Sequence, residues 1–142
     1  MMTAPTQTVM LVDNSSIDNF VNSKIITRYQ FAPNVLSFTR ASKALKYLIE
    51  LNSASLSDIP FLLFLDLDMP EMNGFEFLDA FQMLPDKIKM NIKIVVLTNS
   101  TNPADAIVCS RHGSVITFFQ KPLIKDNIEA LNILLKNGVV FS

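Results

Sequence analysis

The stretch of sequence that decides the fold is Phe61-Leu62-Leu63-Phe64-Leu65-Asp66-Leu67-Asp68-Met69-Pro70-Glu71-Met72-Asn73-Gly74. Its first five residues are all apolar, and such a run is typical of a strand buried on both faces of a parallel sheet. The run stops at Asp66, and a second acid, Asp68, follows two residues later. Asn73-Gly74 then breaks the loop before the next helix. The stretch therefore predicts a central strand with two carboxylates at its carboxyl end.

Short apolar runs alternate with segments whose apolar residues recur at helical spacing along the whole chain. The runs expected to form strands cover residues 9–12, 35–38, 61–65, 94–97 and 116–119. The residues expected to face inward from the helices are Ile17, Phe20, Val21 and Ile25, then Ala41, Ala44, Leu45 and Leu48, then Phe77, Leu78 and Phe81, and finally Ile124, Ile128, Leu131 and Leu135. This alternation predicts an α/β domain in which helices cover both faces of one parallel five-stranded sheet.

Several residues predict where helices begin and end. Ser15 and Asp18 stand three apart, which suits a capping pair at the start of the first helix. Asn102-Pro103 combines a capping side chain with a proline at the first helical position. Gly113 is expected to end that helix, and Gly138 to end the last one.

Composition predicts one domain and disfavours several classes of protein. The chain has 142 residues, of which 49% are hydrophobic, so we expect a single domain with its core at about residues 8–137 and no output domain. With 13 acidic and 12 basic residues the net charge is -1, so neither nucleic acid nor a membrane surface is an expected partner. Lacking a signal-peptide pattern and any apolar run long enough to cross a bilayer, the sequence predicts a cytoplasmic protein.

Polar side chains follow four of the expected strands. Asp13, Asp66, Thr98 and Lys121 come at or just after strands one, three, four and five. The carboxyl ends of parallel strands lie at one edge of a sheet, where ligands of such sheets bind. Carboxylate oxygens suit Mg²⁺, whereas a hydroxyl and an ammonium suit phosphoryl oxygens. Because a carboxylate can also be a nucleophile, the set indicates phosphoryl transfer through an aspartyl phosphate.

The segments that carry this chemistry resemble the receiver domains of response regulators, the CheY-like proteins of two-component systems. The resemblance rests on Val12-Asp13, on residues 65–74, on Leu97-Thr98-Asn99-Ser100 and on Gln120-Lys121-Pro122, and it runs from about residue 9 to 137. It implies a flavodoxin-like (βα)5 three-layer sandwich with strand order 2-1-3-4-5.

The resemblance also implies roles for individual residues. Asp66 corresponds to the phosphoacceptor, and the Mg²⁺ ligands correspond to Asp13, Asp66 and the backbone carbonyl of Asp68. Thr98 and Lys121 correspond to the residues that contact the phosphoryl group.

Phe118 corresponds to the switch aromatic that rotates when Thr98 moves. Pro122 corresponds to the proline that follows the lysine in a cis peptide bond, and Ser100 and Asp68 flank the path of the water that removes the phosphoryl group.

Asn14 departs from the family pattern, which has two adjacent acids after the first strand. Asn14 is either a weak, uncharged Mg²⁺ ligand or only a cap of the first helix, and we expect weaker Mg²⁺ binding. Asp68 is expected to compensate, because its carboxylate lies two residues beyond the phosphoacceptor. His112 is interpreted as a surface residue at a helix end, and Cys109 as a packed thiol that forms no intramolecular disulfide.

The function expected from these residues is that of a stand-alone receiver domain, not an enzyme with a diffusing substrate. A sensor histidine kinase or phosphotransfer protein would phosphorylate Asp66. The region from Asn102 through the last helix would then switch a face that binds a downstream protein effector. The chain would act as a monomer or weak homodimer.

Two alternatives from other classes stay open at this point. Asn14 is compatible with a pseudo-receiver that binds partners without phosphorylation. Asp66-Leu67-Asp68 also resembles the nucleophile motif of haloacid-dehalogenase-type phosphatases. That family carries its motif on the first strand and a further acidic pair after its lysine, whereas only Asp126 and Glu129 follow Lys121 here.

Overall fold

The computed structural model describes residues 7–136. The strands are β1 (Thr8–Val12), β2 (Asn34–Phe38), β3 (Leu62–Leu65), β4 (Lys93–Thr98) and β5 (Val115–Gln120). The helices are α1 (Ser16–Arg28), α2 (Ala41–Glu50), α3 (Gly74–Gln82), α4 (Asp86–Lys89), α5 (Pro103–Ser110) and α6 (Lys125–Lys136). Two short 3-10 turns, Leu51–Ser53 and Leu56–Asp58, lie in the polar loop before β3.

The five strands form one parallel sheet in the order β2-β1-β3-β4-β5, as expected. Its centre is β3, in which all four residues are buried because the strand has a neighbour on each side and helices above and below. In the sheet register Val12 lies opposite Leu65, and Leu65 lies opposite Val96. The carboxyl ends of β1, β3 and β4 therefore meet at one edge.

Two apolar clusters separate the sheet from its helices, which gives the three predicted layers. One cluster holds residues of α2, α3, α4 and α5, including Leu48, Phe77 and Cys109. The other holds residues of α1 and α6, including Ile26 and Leu131. No helix in the described part of the chain is both long and apolar enough to cross a membrane.

The expected orientation of α1 is wrong. Ile17, Phe20 and Val21 are 73%, 61% and 44% exposed, whereas Asn19 and Asn22 are buried. The fourth residue of the expected stripe, Ile25, is only partly buried.

Hydrogen bonds of Asn19 explain this orientation. Its Nδ2 donates to the backbone oxygen of Asp13 at 3.0 Å and, more weakly, to that of Phe38 at 3.4 Å. A buried backbone oxygen needs a donor, and these bonds hold the polar side of α1 against the sheet. The exposed apolar side, formed by Ile17, Phe20 and Val21, is called the α1 apolar face below.

The other helices largely follow the sequence pattern. The inward residues expected for α2 and α3 are buried, and Asn102 caps α5 with Pro103 as its first residue. However, α5 ends at Ser110, three residues before Gly113. The short helix α4 was not predicted, α6 begins at Lys125 with Ile124 exposed, and Gly138 lies outside the described residues.

Candidate functional site

The ends of four strands bring Asp13, Asp66, Thr98 and Lys121 together, as the sequence predicts. Backbone bonds fix their heights at the sheet edge: Asp66 N donates to Val12 O at 2.9 Å, and Lys121 N donates to Thr98 O at 2.8 Å. Asp13 and Asp66 are each 4% exposed, and Thr98 is 1% exposed. These four residues are called the strand-end site below.

Lys121 lies at the centre of the charges. Its Nζ is 2.5 Å from Asp13 Oδ2 and 3.6 Å from Asp66 Oδ2. A third carboxylate, that of Asp18, reaches the same Nζ at 2.9 Å from the first turn of α1. One ammonium thus faces three carboxylates, and those of Asp13 and Asp18 are nearer to it than that of Asp66.

The pKa values of the two central groups, Asp66 and Lys121, are both raised in this crowded site. Burial, followed by repulsion from Asp13, raises the pKa of Asp66 to about 6, although Lys121 and the Asp68 backbone N–H oppose the rise. Burial by itself would lower the pKa of Lys121, but hydrogen bonds to Asp13 and Asp18 raise it above its usual value. Lys121 is therefore charged at neutral pH, and Asp66 is mostly ionised.

The loop after Asp66 is fixed by backbone contacts. Asp68 N donates to Asp66 Oδ1 at 3.3 Å, and Gly74 N donates to Leu67 O at 2.9 Å. A Cβ on Gly74 would lie 2.6 Å from Leu67 Cα and 2.7 Å from Asp66 O, closer than atoms in proteins approach. Only glycine fits between the loop after Asp66 and α3, which gives Gly74 a role beyond the predicted turn.

The Asn73 side of this loop is equally ordered. Asn73 Oδ1 accepts from Glu76 N at 2.9 Å, and Glu76 Oε1 accepts from Asn73 N at 3.0 Å. This reciprocal capping box starts α3 at Gly74. Glu71 has a left-handed φ of 67°, and its carboxylate pairs with Arg40 at 3.1 Å.

Thr98 is linked to α5 through Ser100. Ser100 N donates to Thr98 Oγ1 at 3.3 Å, and Ser100 Oγ hydrogen-bonds to Asp105 Oδ2 in the first turn of α5. The Ser100 hydroxyl is thus engaged by α5, and its expected role beside the attacking water stays a prediction.

Three further expected residues lie at the margin of the site. Asn14 is exposed, and so is Asp68, whose backbone rather than its carboxylate contacts Asp66. The expected compensation for Asn14 by the Asp68 carboxylate stays a prediction. Phe118 is partly buried against the apolar cluster on the α3 side of the sheet, and the Lys121–Pro122 peptide bond is cis, as the resemblance implies.

Asp18 is the site residue that sequence reasoning missed. The spacing of Ser15 and Asp18 predicted a reciprocal cap, and half of it is present, because Asp18 N donates to Ser15 Oγ at 3.1 Å. Ser15 N instead donates to Asp13 Oδ1 at 2.8 Å, which leaves the Asp18 carboxylate free to bind Lys121. An acid three residues into the helix that follows the first site acid was the available signal.

Two other residues have clear environments. Cys109 is fully buried, and burial raises the pKa of its thiol to about 11. His112 is less exposed than predicted, because its side chain bridges to α3: Nδ1 lies 2.7 Å from Gln82 Nε2, and Nε2 lies 3.5 Å from Asp79 Oδ1.

The donor set fits a divalent cation with oxygen ligands. Asp13 and Asp66 are buried carboxylates that repel each other, and the ammonium of Lys121 balances only part of their charge. Within residues 7–136, no three His, Cys, Asp or Glu side chains form a group that could hold a metal ion. The expected Mg²⁺ set draws on only two such side chains, with the Asp68 carbonyl and the weak candidate Asn14 as the remaining donors.

The family assignment follows from a comparison with known families. The chain matches the response regulator receiver domain over residues 9–132. It belongs to this family. No curated protein sequence matches the chain significantly.

Solved structures of receiver proteins share the fold of this receiver domain. A two-component response regulator from Cytophaga hutchinsonii is 27% identical, with a TM-score of 0.84 over 94% of this chain and 99% of that chain. A response regulator receiver protein from Dyadobacter fermentans is also 27% identical, with a TM-score of 0.77 over 92% and 95% of the two chains. The CheX-CheY-BeF3-Mg²⁺ complex from Borrelia burgdorferi matches at 20% identity, with a TM-score of 0.70 over 94% and 90%.

Proposed function

We propose that this receiver domain accepts a phosphoryl group on Asp66 in the presence of Mg²⁺. The observation that carries the proposal is the Asp66 carboxylate itself, which is buried at a strand end 3.6 Å from the Lys121 ammonium and beside a second buried acid, Asp13. A carboxylate in this setting is a nucleophile whose product, an aspartyl phosphate, has a counter-charge within reach.

The chain's own residues supply nucleophile, charge and positioning. An Asp66 carboxylate oxygen attacks the phosphorus of a phosphohistidine, an O–P bond forms, and the N–P bond breaks with its electron pair leaving on the imidazole. With a pKa of about 6, Asp66 is mostly ionised at neutral pH and ready for this attack. Lys121 faces one phosphoryl oxygen, and the Thr98 hydroxyl donates to another. Mg²⁺, held by Asp13, Asp66 and the Asp68 carbonyl, would neutralise further phosphoryl charge.

The switch is proposed to run through Thr98. In the present state Thr98 Oγ1 accepts from Ser100 N, and Ser100 is tied to Asp105 of α5. When Thr98 turns toward the phosphoryl group, its hydrogen bond to Ser100 N breaks and the start of α5 shifts, with Phe118 following Thr98. Exposed Ile107 on α5 offers an apolar contact for a separate effector protein, which is unidentified.

The phosphoryl donor is proposed to be a sensor histidine kinase or a phosphotransfer protein that docks on the α1 apolar face. Ile17, Phe20 and Val21 are exposed within one helical turn of Asp18, which touches the strand-end site. A donor must bring its histidine to the Asp66 edge of the sheet, and this face lies beside that edge. Large exposed apolar side chains grouped in this way mark contact surfaces.

We also propose that the chain is not a phosphatase for diffusing phosphoesters. A haloacid-dehalogenase-type mechanism needs its second aspartate as a general acid, whereas Asp68 is exposed and contacts Asp66 only through its backbone N–H. The nucleophile also lies on the third strand of the chain rather than the first.

The function is tested with beryllofluoride, which mimics a phosphoryl group on a carboxylate. ¹⁵N-labelled protein is titrated with beryllofluoride with and without Mg²⁺, and amide spectra are recorded. Mg²⁺-dependent shifts at Asp66, Thr98 and α5, absent from Asp66→Asn, are expected. Spectra that do not change when beryllofluoride is added at high Mg²⁺ would contradict the proposal. They would favour the pseudo-receiver, with which Asn14 is compatible.

A further inference from the structure

The position of Asp18 is unexplained by the proposed phosphoryl transfer. Its carboxylate lies 2.9 Å from Lys121 Nζ, closer than the Asp66 carboxylate at 3.6 Å. A side chain in the first turn of a helix is usually free to point into solvent, and the Asp18 side chain is 40% exposed. It nevertheless reaches across to the lysine that follows β5, 103 residues away in the sequence.

The Asp18 side chain does not cap α1. The N-cap of α1 is the Ser15 side chain, which accepts from Asp18 N, and the Ser15 backbone N–H is bonded to Asp13. Asp18 therefore makes its side-chain bond only to Lys121 among the hydrogen bonds of residues 7–136. A cleft of about 220 Å³, lined in part by Asp18, Asn99 and Lys121, opens beside this pair.

We propose that Asp18 is a positioning residue for Lys121, holding its ammonium close to Asp13 and Asp18 and away from a phosphoryl group on Asp66. The inference rests on the proposed function of Asp66. The ammonium has three N–H donors, and its two shortest contacts direct two of these donors to Asp13 and Asp18. In the resting state Asp66 is left beyond hydrogen-bond distance from Lys121.

Asp18 also replaces a charge that the sequence lacks. Asn14 brings no charge, but Asp13, Asp18 and Asp66 together set three carboxylates against one ammonium. A cation that approaches the site is attracted by the Asp18 charge, whereas an added phosphoryl group is repelled by it. Loss of this charge should therefore act in opposite directions on the two ligands.

The test compares wild type, Asp18→Asn and Asp18→Glu, with Asp126→Asn as the matched control. Asp126 is an exposed acid in the first turn of α6, so its loss makes the same charge change at the same kind of helix position. Calorimetry measures the Kd for Mg²⁺ alone, and NMR measures the Kd for beryllofluoride at saturating Mg²⁺.

Asp18→Asn is expected to weaken Mg²⁺ binding and to tighten beryllofluoride binding, each by about two- to fivefold, as suits one partly exposed charge. Asp18→Glu, which keeps the charge, is expected to bind Mg²⁺ with an affinity close to that of wild type. Asp126→Asn is expected to change neither the Mg²⁺ affinity nor the beryllofluoride affinity. A purely structural role would move both affinities the same way. Unchanged or weaker beryllofluoride binding by Asp18→Asn would overturn the proposal.

A measurement without ligand separates this inference from the proposed function. The side-chain NH₃⁺ signal of Lys121 is recorded by ¹H–¹⁵N correlation, and it should shift in Asp18→Asn but not in Asp126→Asn. If wild type binds no beryllofluoride, the proposed function fails while this signal still decides the positioning role. A Lys121 signal that Asp18→Asn leaves as in wild type would overturn the positioning role.

Discussion

Replacing Asp66 with Asn should stabilise the domain at neutral pH, because the folded state holds the ionised carboxylate at a cost. Burial and the nearby Asp13 raise the pKa of Asp66 from 3.8 to about 6. Each tenfold change in an ionisation constant is worth about 1.4 kcal/mol, so the cost is about 3 kcal/mol once Asp66 is fully ionised in the folded state. Lys121 keeps Asp13 and Asp18 as partners when the Asp66 charge is removed.

The sign of the pH dependence follows from proton binding. The folded state holds the Asp66 proton more tightly than the unfolded chain. Folded wild type therefore keeps its full stability below pH 3.8, and its free energy of unfolding falls as the pH rises toward 6. The Asn variant lacks this loss. The stability gap between the two proteins should therefore be about 1 kcal/mol at pH 4.5 and about 3 kcal/mol at pH 7.5.

Urea unfolding followed by far-UV circular dichroism, in buffer with EDTA, measures both free energies of unfolding. Asp126→Asn controls for the loss of a carboxylate as such, and it should show no gap that grows with pH. Added Mg²⁺ should stabilise wild type more than Asp66→Asn and so narrow the gap. An Asn variant that is less stable than wild type at pH 7.5, or a gap independent of pH, would refute the reasoning.

Three further predictions concern packing. Because Phe20 is 61% exposed, Phe20→Ser should change the free energy of unfolding by less than about 0.5 kcal/mol. Phe77 is fully buried, so Phe77→Ala should lower it by about 3 to 5 kcal/mol. Equal losses of stability in urea unfolding would contradict the orientation of α1. Gly74→Ala should destabilise the domain by about 2 kcal/mol or more, because the alanine Cβ would meet backbone atoms at 2.6 and 2.7 Å. It should also shift the NMR amide signals around Asp66, and an amide spectrum like that of wild type would count against the close approach. Native Cys109 should react with iodoacetamide at pH 8 at least about a hundredfold more slowly than the urea-unfolded chain, since its thiol is buried and its pKa is about 11; rapid modification of folded protein, followed by mass, would disprove this burial.

The strands and most of the strand-end site could be predicted because their signals are local. Continuous apolar runs such as residues 62–65 have few alternatives to a buried strand, and a polar residue at the end of a run falls at the sheet edge whatever the helices do. The placement of Asp66 and Lys121 at one edge therefore follows from the alternation of strand and helix, and the resemblance adds the roles expected of them.

The orientation of α1 could not be predicted, because it depends on contacts between distant segments. The apolar spacing of Ile17, Phe20 and Val21 indicates a buried stripe. However, the amide of Asn19 donates to backbone oxygens at the ends of β1 and β2, and that stripe faces outward. Asp18 was missed for the same reason. Its side chain contacts a lysine after the last strand, and the local cap with Ser15 already explained an acid at this position.

The central claim is that Asp66 is the phosphoacceptor, and the most direct test is the intact mass of the protein after incubation with acetyl phosphate. Wild type, Asp66→Asn and Asp18→Asn are incubated with and without Mg²⁺, and folding is checked by circular dichroism. If Asp66 is the phosphoacceptor, wild type and Asp18→Asn each gain the mass of one phosphoryl group only when Mg²⁺ is present, and Asp66→Asn gains none. A folded wild-type protein that gains no phosphoryl group at high Mg²⁺, or an Asp66→Asn variant that still gains one, would contradict the central claim.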